Sequence, residues 1–227
     1  MKKVLIIASH PDDETLGCAG LIAKEALNGT DFFVLFIGEG STCRFDDPNS
    51  DEALASISNR NQNAEKAMQI LGVKEYSFNN FPCGRFDTLP IIEINKVIEK
   101  IISEYKPDTI FTHSSNDANS DHRVCYESTI MATRPGALNS VESLFSYEVL
   151  SSSEWSFDNV FKPNYFIEIG RKELSKKCEA LETYETEVRE FPFPRSAKGV
   201  EILAMLRGMQ SGFHYAEAFK LIRTIKK

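Results

Sequence analysis

The chain has 227 residues, a formal charge of -7 and 42% hydrophobic residues, which is enough to bury a sizeable core and too apolar for a disordered chain. The acidic balance, with no clustered Lys/Arg run before the short tail Arg223-Thr224-Ile225-Lys226-Lys227, argues against a nucleic-acid partner, and no stretch approaches the ~20 apolar residues that would cross a bilayer. Five scattered cysteines (Cys18, Cys43, Cys83, Cys125 and Cys178) with no Cys-x-x-Cys pair argue against a disulfide framework and a cysteine-built zinc site, and imply a reducing, cytoplasmic setting.

Val4 to Ala8 is a short apolar run, the pattern of a strand buried on both faces, and it is too short for the core of a signal peptide. A helical pattern follows with Leu16, Ala19, Ile22, Ala23, Ala26 and Leu27 apolar, ending at Asn28-Gly29. Phe32 to Ile37 is the next strand, broken by Gly38-Glu39-Gly40-Ser41. Thr42 to Ser58 is polar and irregular and reads as a surface loop. Arg60 to Leu71 is helical and closes at Gly72. Glu75 to Phe78 is a weak strand, and Pro90 to Tyr105 is an amphipathic helix with Pro at its start, where the missing N–H costs nothing. Thr109 to Thr112 is a strand and Asp121 to Thr133 a helix closed by Arg134-Pro135-Gly136. Beyond about 137 come shorter strands (Leu144 to Val149, Tyr165 to Ile169) and three helix-like stretches near 171–184, 197–209 and 215–225.

Alternating strands and helices imply right-handed βαβ units. The expected fold is α/β, a Rossmann-like sandwich with a mostly parallel central sheet and helices on both faces. No repeat or linker interrupts it, so residues 1–227 read as one domain. In such sheets ligands bind beyond the carboxyl ends of the strands. Those ends carry His10 to Asp13, Gly38 to Arg44 and His113 to His122, the polar and unusual segments of the chain.

His10 and Asp13 stand three apart where a strand gives way to a helix. An imidazole nitrogen and a carboxylate oxygen are first-choice ligands for a divalent metal of zinc type. Asp12 and Glu14 add two carboxylates, a concentration of negative charge that is costly beside a buried strand unless a cation is present. An acidic first helical turn, favoured by the helix dipole, fits this segment equally well by itself. The second segment, His113 to Arg123, shifts the balance. Only four histidines exist in the chain, and His10, His113 and His122 all fall on the same expected rim. His10, Asp13 and His122 supply the three protein ligands of a catalytic zinc site, with Asp121 as a neighbour orienting them.

Glu39 and Arg44, after the second strand, lie where contacts to a sugar hydroxyl or phosphate would form, although a solvated loop accounts for them as well. Trp155 suits either stacking on a sugar ring or partial burial, and His214 reads as a packing residue. The first strand runs into His-Pro-Asp-Asp and not into a Gly-rich phosphate turn, which disfavours a nucleotide cofactor.

These residues match a known pattern. The chain resembles the PIG-L/LmbE-like family of zinc-dependent N-deacetylases. The family's first motif, Ala-His-Pro-Asp-Asp-Glu, stands here as Ser9-His10-Pro11-Asp12-Asp13-Glu14, and its second ends in Asp121-His122-Arg123. Supporting matches are Arg85-Phe86-Asp87-Thr88, Thr133-Arg134-Pro135, Arg195-Ser196, Arg207-Gly208 and Ala216-Glu217-Ala218-Phe219, so the resemblance spans nearly the whole chain. It implies Zn²⁺ on His10, Asp13 and His122, with Asp12 as general base. It also implies an N-acetylated amino-sugar substrate that is free, nucleotide-linked or part of a glycoconjugate. A homo-oligomer is compatible with it. Some members carry a His three residues before the zinc His. This chain has Asn119 there, which can donate a hydrogen bond to an oxyanion but cannot carry a proton. His113 is the alternative donor. An amidase of another N-acyl small molecule and a non-catalytic carbohydrate-binding member of the fold are the competing readings.

Overall fold

A computed structural model describes residues 1–136 and 141–226. Val4 to Ala8 have no exposed surface, because strand β1 (Lys3–Ala8) is covered on both sides. Its alternate residues divide between two cores. Val4, Ile6 and Ala8 join one cluster, Leu5 and Ile7 the other. A strand in the middle of such a sheet has to be apolar throughout.

After β1 the chain runs α1 (Asp13–Leu27), β2 (Asp31–Gly38), α2 (Asp51–Leu71), β3 (Glu75–Phe81), α3 (Ile91–Tyr105), β4 (Thr109–Thr112) and α4 (Ser120–Ala132). Then come β5 (Ser143–Tyr147), β6 (Tyr165–Glu168), α5 (Arg171–Glu182), α6 (Ala197–Ser211) and β7 (Ala216–Thr224). The seven strands form one sheet in the order β3-β2-β1-β4-β5-β7-β6. Strands β1 to β5 pair in parallel, and β7 runs antiparallel to both β5 and β6. One core packs Leu16, Ala64, Leu181 and Val200, from α1, α2, α5 and α6, on one face. The other packs Ile94, Ile98 and Cys125, from α3 and α4, on the opposite face. This is the mostly parallel α/β sandwich that the strand–helix alternation implies.

The topology also fixes where a site can form. From β1 the chain moves outward through β2 and β3, then returns to place β4 and β5 on β1's other side. The order reverses between β1 and β4, the point at which sheets of this kind place a ligand crevice beyond the carboxyl ends of their strands. The residues entering it are 9–13 and 113–122. Helix α1, buried from Asp13 to Ala23, closes the crevice from one face. It lies close to the sheet because residue 17 is glycine: a Cβ there would stand 2.2 Å from the Tyr147 ring on β5. Tyr147 in turn donates its hydroxyl to the Ile7 carbonyl at 2.8 Å, beneath the crevice.

Two expectations need correction. Helix α2 starts at Asp51 and takes up half of the expected 42–58 loop, with Ser50 Oγ accepting from Ala53 N–H at its N-terminus. Its low apolar content hid it, although Ser-Asp-Glu is a helix-start signal. Residues near 215–225 form strand β7, not a helix. Ala, Glu, Lys and Leu favour a helix locally, but Gly212 ends α6 in the left-handed conformation (φ 81°), and β5 and β6 both offer free ladder groups. Among the described residues, no helix is long and apolar enough to cross a membrane.

Candidate metal centre

The turn after β1 is tightly braced. His10 N–H donates to Asp13 Oδ2 at 2.8 Å, and Asp12 N–H donates to Glu14 Oε2 at 3.0 Å. Asp12 itself has φ 127° and ψ -25°, a conformation that a residue with a Cβ rarely adopts and that its surroundings must enforce. The result is that successive side chains, His10, Asp12 and Asp13, all enter the crevice.

The first turn of α4 brings His122 to them. His122 Nε2 lies 3.4 Å from Asp13 Oδ1, and His10 Nδ1 lies 3.7 Å from Asp13 Oδ2. One donor atom from each of His10, Asp13 and His122 lies within 4.8 Å of the others, and all three residues are buried. The second nitrogen of each imidazole is held by a carboxylate: His10 Nε2 by Asp121 Oδ2 at 2.9 Å, and His122 Nδ1 by Asp117 Oδ1 at 3.1 Å. Asp121 is fixed in turn by N–H donors from Gly84 at 2.6 Å and Phe86 at 3.1 Å. Asp117 is fixed by the hydroxyls of Ser152 and Ser153. Histidines backed by carboxylates beside a third, buried carboxylate are the arrangement that orients ligands for a metal.

The electrostatics agree. Burial pushes Asp13 up, but the imidazoles of His122 and His113 outweigh it and hold its carboxyl well below the usual range. Burial pulls His122 down, and Asp13 and Asp117 override it, raising the imidazole to about 10. Two carboxylates thus favour positive charge at the place where the three donors converge. With two imidazole nitrogens and one carboxylate oxygen, the donor set fits a zinc-type ion in both number and kind.

Asp12 lies beside this cluster and is gripped from the other side. Arg195 Nη1 reaches its Oδ2 at 2.7 Å and Arg60 Nη2 at 3.2 Å. Burial raises the Asp12 carboxyl, and the two guanidinium groups work against that rise. Both arginines also bind Glu187, at 2.9 Å and 2.6 Å. Arg60 donates further to the carbonyls of Pro11 and Gly40. Sequence reasoning assigned no contact to Arg60, Glu187 or Arg195.

Glu187 carries a testable share of the stability. Burial would raise its carboxyl, but Arg44, Arg60 and Arg195 hold it down at about 2, against an ordinary value of 4.5. Since the folded value is the lower one, the stabilisation of about 3 kcal/mol is present in full above pH ~4.5 and disappears as pH falls through about 2. Glu187→Gln is therefore expected to lower the unfolding free energy at pH 7 by roughly that amount and to flatten its decline in acid. Denaturant melts of both proteins between pH 2.5 and pH 7 measure it; parallel curves would show that the carboxylate does not carry this term.

The remaining expected site residues divide. Glu39, on the rim by sequence, is buried and turned inward. It accepts from Ser41 N–H at 2.5 Å, Thr42 N–H at 2.9 Å and Cys83 N–H at 2.7 Å, so it organises the loop. Arg44 forms a two-pronged ion pair with Glu187, at 2.6 and 2.8 Å, and stays partly exposed. Asn119 caps α4, its Oδ1 accepting from Asp121 N–H at 2.9 Å. His113 is fully buried and stacked at 4.0 Å on the His122 ring; its Nε2 accepts from Ser9 N–H at 2.8 Å. Burial and the nearby His122 push His113 down to about 3, so it is a neutral prop beneath the cluster. Arg123 points away and donates to the carbonyls of Asp117 and Ala118. Trp155 is half exposed, and His214 is exposed, not packed as expected.

Comparison with known proteins bears on this arrangement. The family model PIG-L, described as GlcNAc-PI de-N-acetylase, matches residues 5–133, more than half of the chain. The chain is 27% identical to the diacetylchitobiose deacetylase of Thermococcus kodakarensis over 229 aligned positions, covering 98% of this chain and 84% of that protein. Among solved structures, the N,N'-diacetylchitobiose deacetylase of Pyrococcus horikoshii, complexed with an inhibitor, superposes with a TM-score of 0.78 at 23% identity over 98% of this chain and 84% of that one. The zinc-inhibited form of the teicoplanin deacetylase Orf2 gives 0.77 at 18% identity, with both chains fully covered. At these identities the structural matches speak to the fold.

Proposed function

The chain belongs to the PIG-L family of de-N-acetylases, and from that membership we propose that it hydrolyses the acetamide of an N-acetylated amino sugar at a zinc centre held by His10, Asp13 and His122. One observation carries the reading: three buried metal donors converge, and an arginine-gripped carboxylate, Asp12, stands beside them. A carbohydrate-binding protein has no use for such a base.

When bound, a zinc-type ion supplies Lewis acidity, lowering the pKa of water towards ~7 and polarising an amide carbonyl. The chain's own residues do the rest. Asp12 takes the proton of the attacking water and returns it to the leaving amine. Both arginines grip Oδ2, which assigns Oδ1 to the proton transfer. Arg60 and Arg195 oppose the rise that burial imposes on the Asp12 carboxyl. Asp121 fixes the orientation of His10 through its hydrogen bond, and Asp117 faces His122 Nδ1 as its ion-pair partner. The Oδ1 of Asn119 is committed to α4, so its amide Nδ2 is the group assigned to donate to the tetrahedral oxyanion. Arg44, partly exposed on the loop that Glu39 shapes, is the contact proposed for an anionic group on the substrate.

The substrate class is tested by acetate release across two panels, N-acetylated mono- and disaccharides and N-acetyl amino acids or alkylamines. The expected result is turnover confined to the sugars. Turnover confined to the non-sugar amides would keep the hydrolase and remove the amino-sugar assignment.

A further inference from the structure

Cys43 and Cys83 have no part in the reaction above, yet they face each other at its rim. Their sulfurs lie 3.1 Å apart, although the residues are 40 positions apart in the chain. Both are held there by Glu39, which accepts from Thr42 N–H, next to Cys43, and from Cys83 N–H. The two loops touch so closely that a Cβ on Gly84 would stand 3.3 Å from the Cβ of Cys43. Reaching the ~2.05 Å length of a disulfide requires a closure of only about 1 Å. Cys43 is exposed and Cys83 buried behind it. An oxidant from solvent therefore meets Cys43 first, with a resolving thiol already in reach.

We propose that Cys43 and Cys83 are an oxidation site, a thiol pair that a hydroperoxide converts to a disulfide and that a dithiol restores. The sulfur of Cys43 attacks the O–O bond, which breaks, giving Cys43 sulfenic acid and, from hydrogen peroxide, one water. The sulfur of Cys83 then attacks the sulfenic sulfur; the S–S bond forms, the S–O bond breaks and a second water leaves. Two thiols lose two protons and two electrons, and the peroxide is reduced to two waters.

The bond would act on the neighbouring centre, a consequence that rests on the deacetylase reading. Cys83 precedes Gly84, whose N–H holds Asp121 against His10. Cys43 precedes Arg44, which holds Glu187, and Glu187 holds the arginines on Asp12. Drawing the sulfurs together pulls on both chains of contacts.

The test exposes the zinc-loaded full-length protein to graded hydrogen peroxide and reads three quantities. Peptide mass spectrometry is expected to find Cys43 linked to Cys83 with the loss of two hydrogens. Acetate release is expected to fall about tenfold, zinc is expected to pass to a chelator about tenfold faster, and dithiothreitol should reverse both. Cys43→Ser is expected to keep its starting activity throughout the same exposure. Oxidation of Cys43 to sulfinic acid with Cys83 still a thiol would overturn the proposal, and so would a linked pair with turnover and zinc release unchanged. The peptide and zinc readouts need no substrate, so a protein that releases no acetate before oxidation counts against the deacetylase reading alone.

Discussion

Asp12→Asn is expected to lower kcat for acetate release by roughly a thousandfold while one zinc per chain stays bound. Asn matches Asp in size and keeps an oxygen for the arginines, so the turn after β1 is retained. What disappears is the charge, and with it the capacity to take a proton from water. The geometry argues for Asp12 over the neighbouring acids. Asp13 is already engaged with His122 and His10, and its carboxyl is held well below the ordinary range, which makes it a poor base. Glu14 is turned away, accepting from Thr15 and from the Tyr184 hydroxyl at 2.5 and 2.7 Å, and burial pushes it up to about 7. Asp12 alone combines a position beside the three donors with two guanidinium groups on its carboxylate. Kinetics and metal analysis on the same preparation decide the matter. Wild-type kcat with full zinc would remove Asp12 as the base.

His122→Ala has a different signature. It is expected to weaken zinc affinity at least a hundredfold and to abolish turnover at limiting zinc, because one of three protein donors is gone. It should also cost about 3 kcal/mol of stability in metal-free protein, since Asp13 and Asp117 both lose the group that neutralises them while remaining buried. His214→Ala is the matched control, for that side chain is exposed and should change neither quantity. Zinc titration by competition with a chelator, together with denaturant melts, separates the two effects. A full equivalent of tightly bound zinc in His122→Ala would strike it from the ligand set.

The parts of this site that the sequence reveals are the local ones. His10, Asp12 and Asp13 fall within four residues at the end of an unmistakable buried strand, and His122 begins the helix after another. The rule that ligands gather beyond the carboxyl ends of parallel strands was enough to bring the two segments together. The arginine clamp was not legible for an equally physical reason. Arg195 lies 183 positions from Asp12, and Arg60 lies 127 from Glu187, so no spacing or periodicity connects them. They meet only once α2 and the 183–196 segment pack over α1. The family resemblance touched Arg195 but gave no partner for it. Glu39 illustrates a different limit of spacing. Its place after β2 was read correctly, but a polar residue on a rim can serve its own loop, and the three backbone N–H groups that it accepts cannot be counted before the loop is folded. Strand β7 escaped because its residues favour a helix and only pairing with β5 and β6 decides otherwise.

The central claim, a metal-dependent sugar de-N-acetylase, is tested most directly by acetate release from N-acetylated amino sugars, measured on metal-stripped protein before and after one equivalent of zinc. The account predicts no release from the stripped protein and recovery that saturates near one zinc per chain. Equal release with and without metal would contradict it.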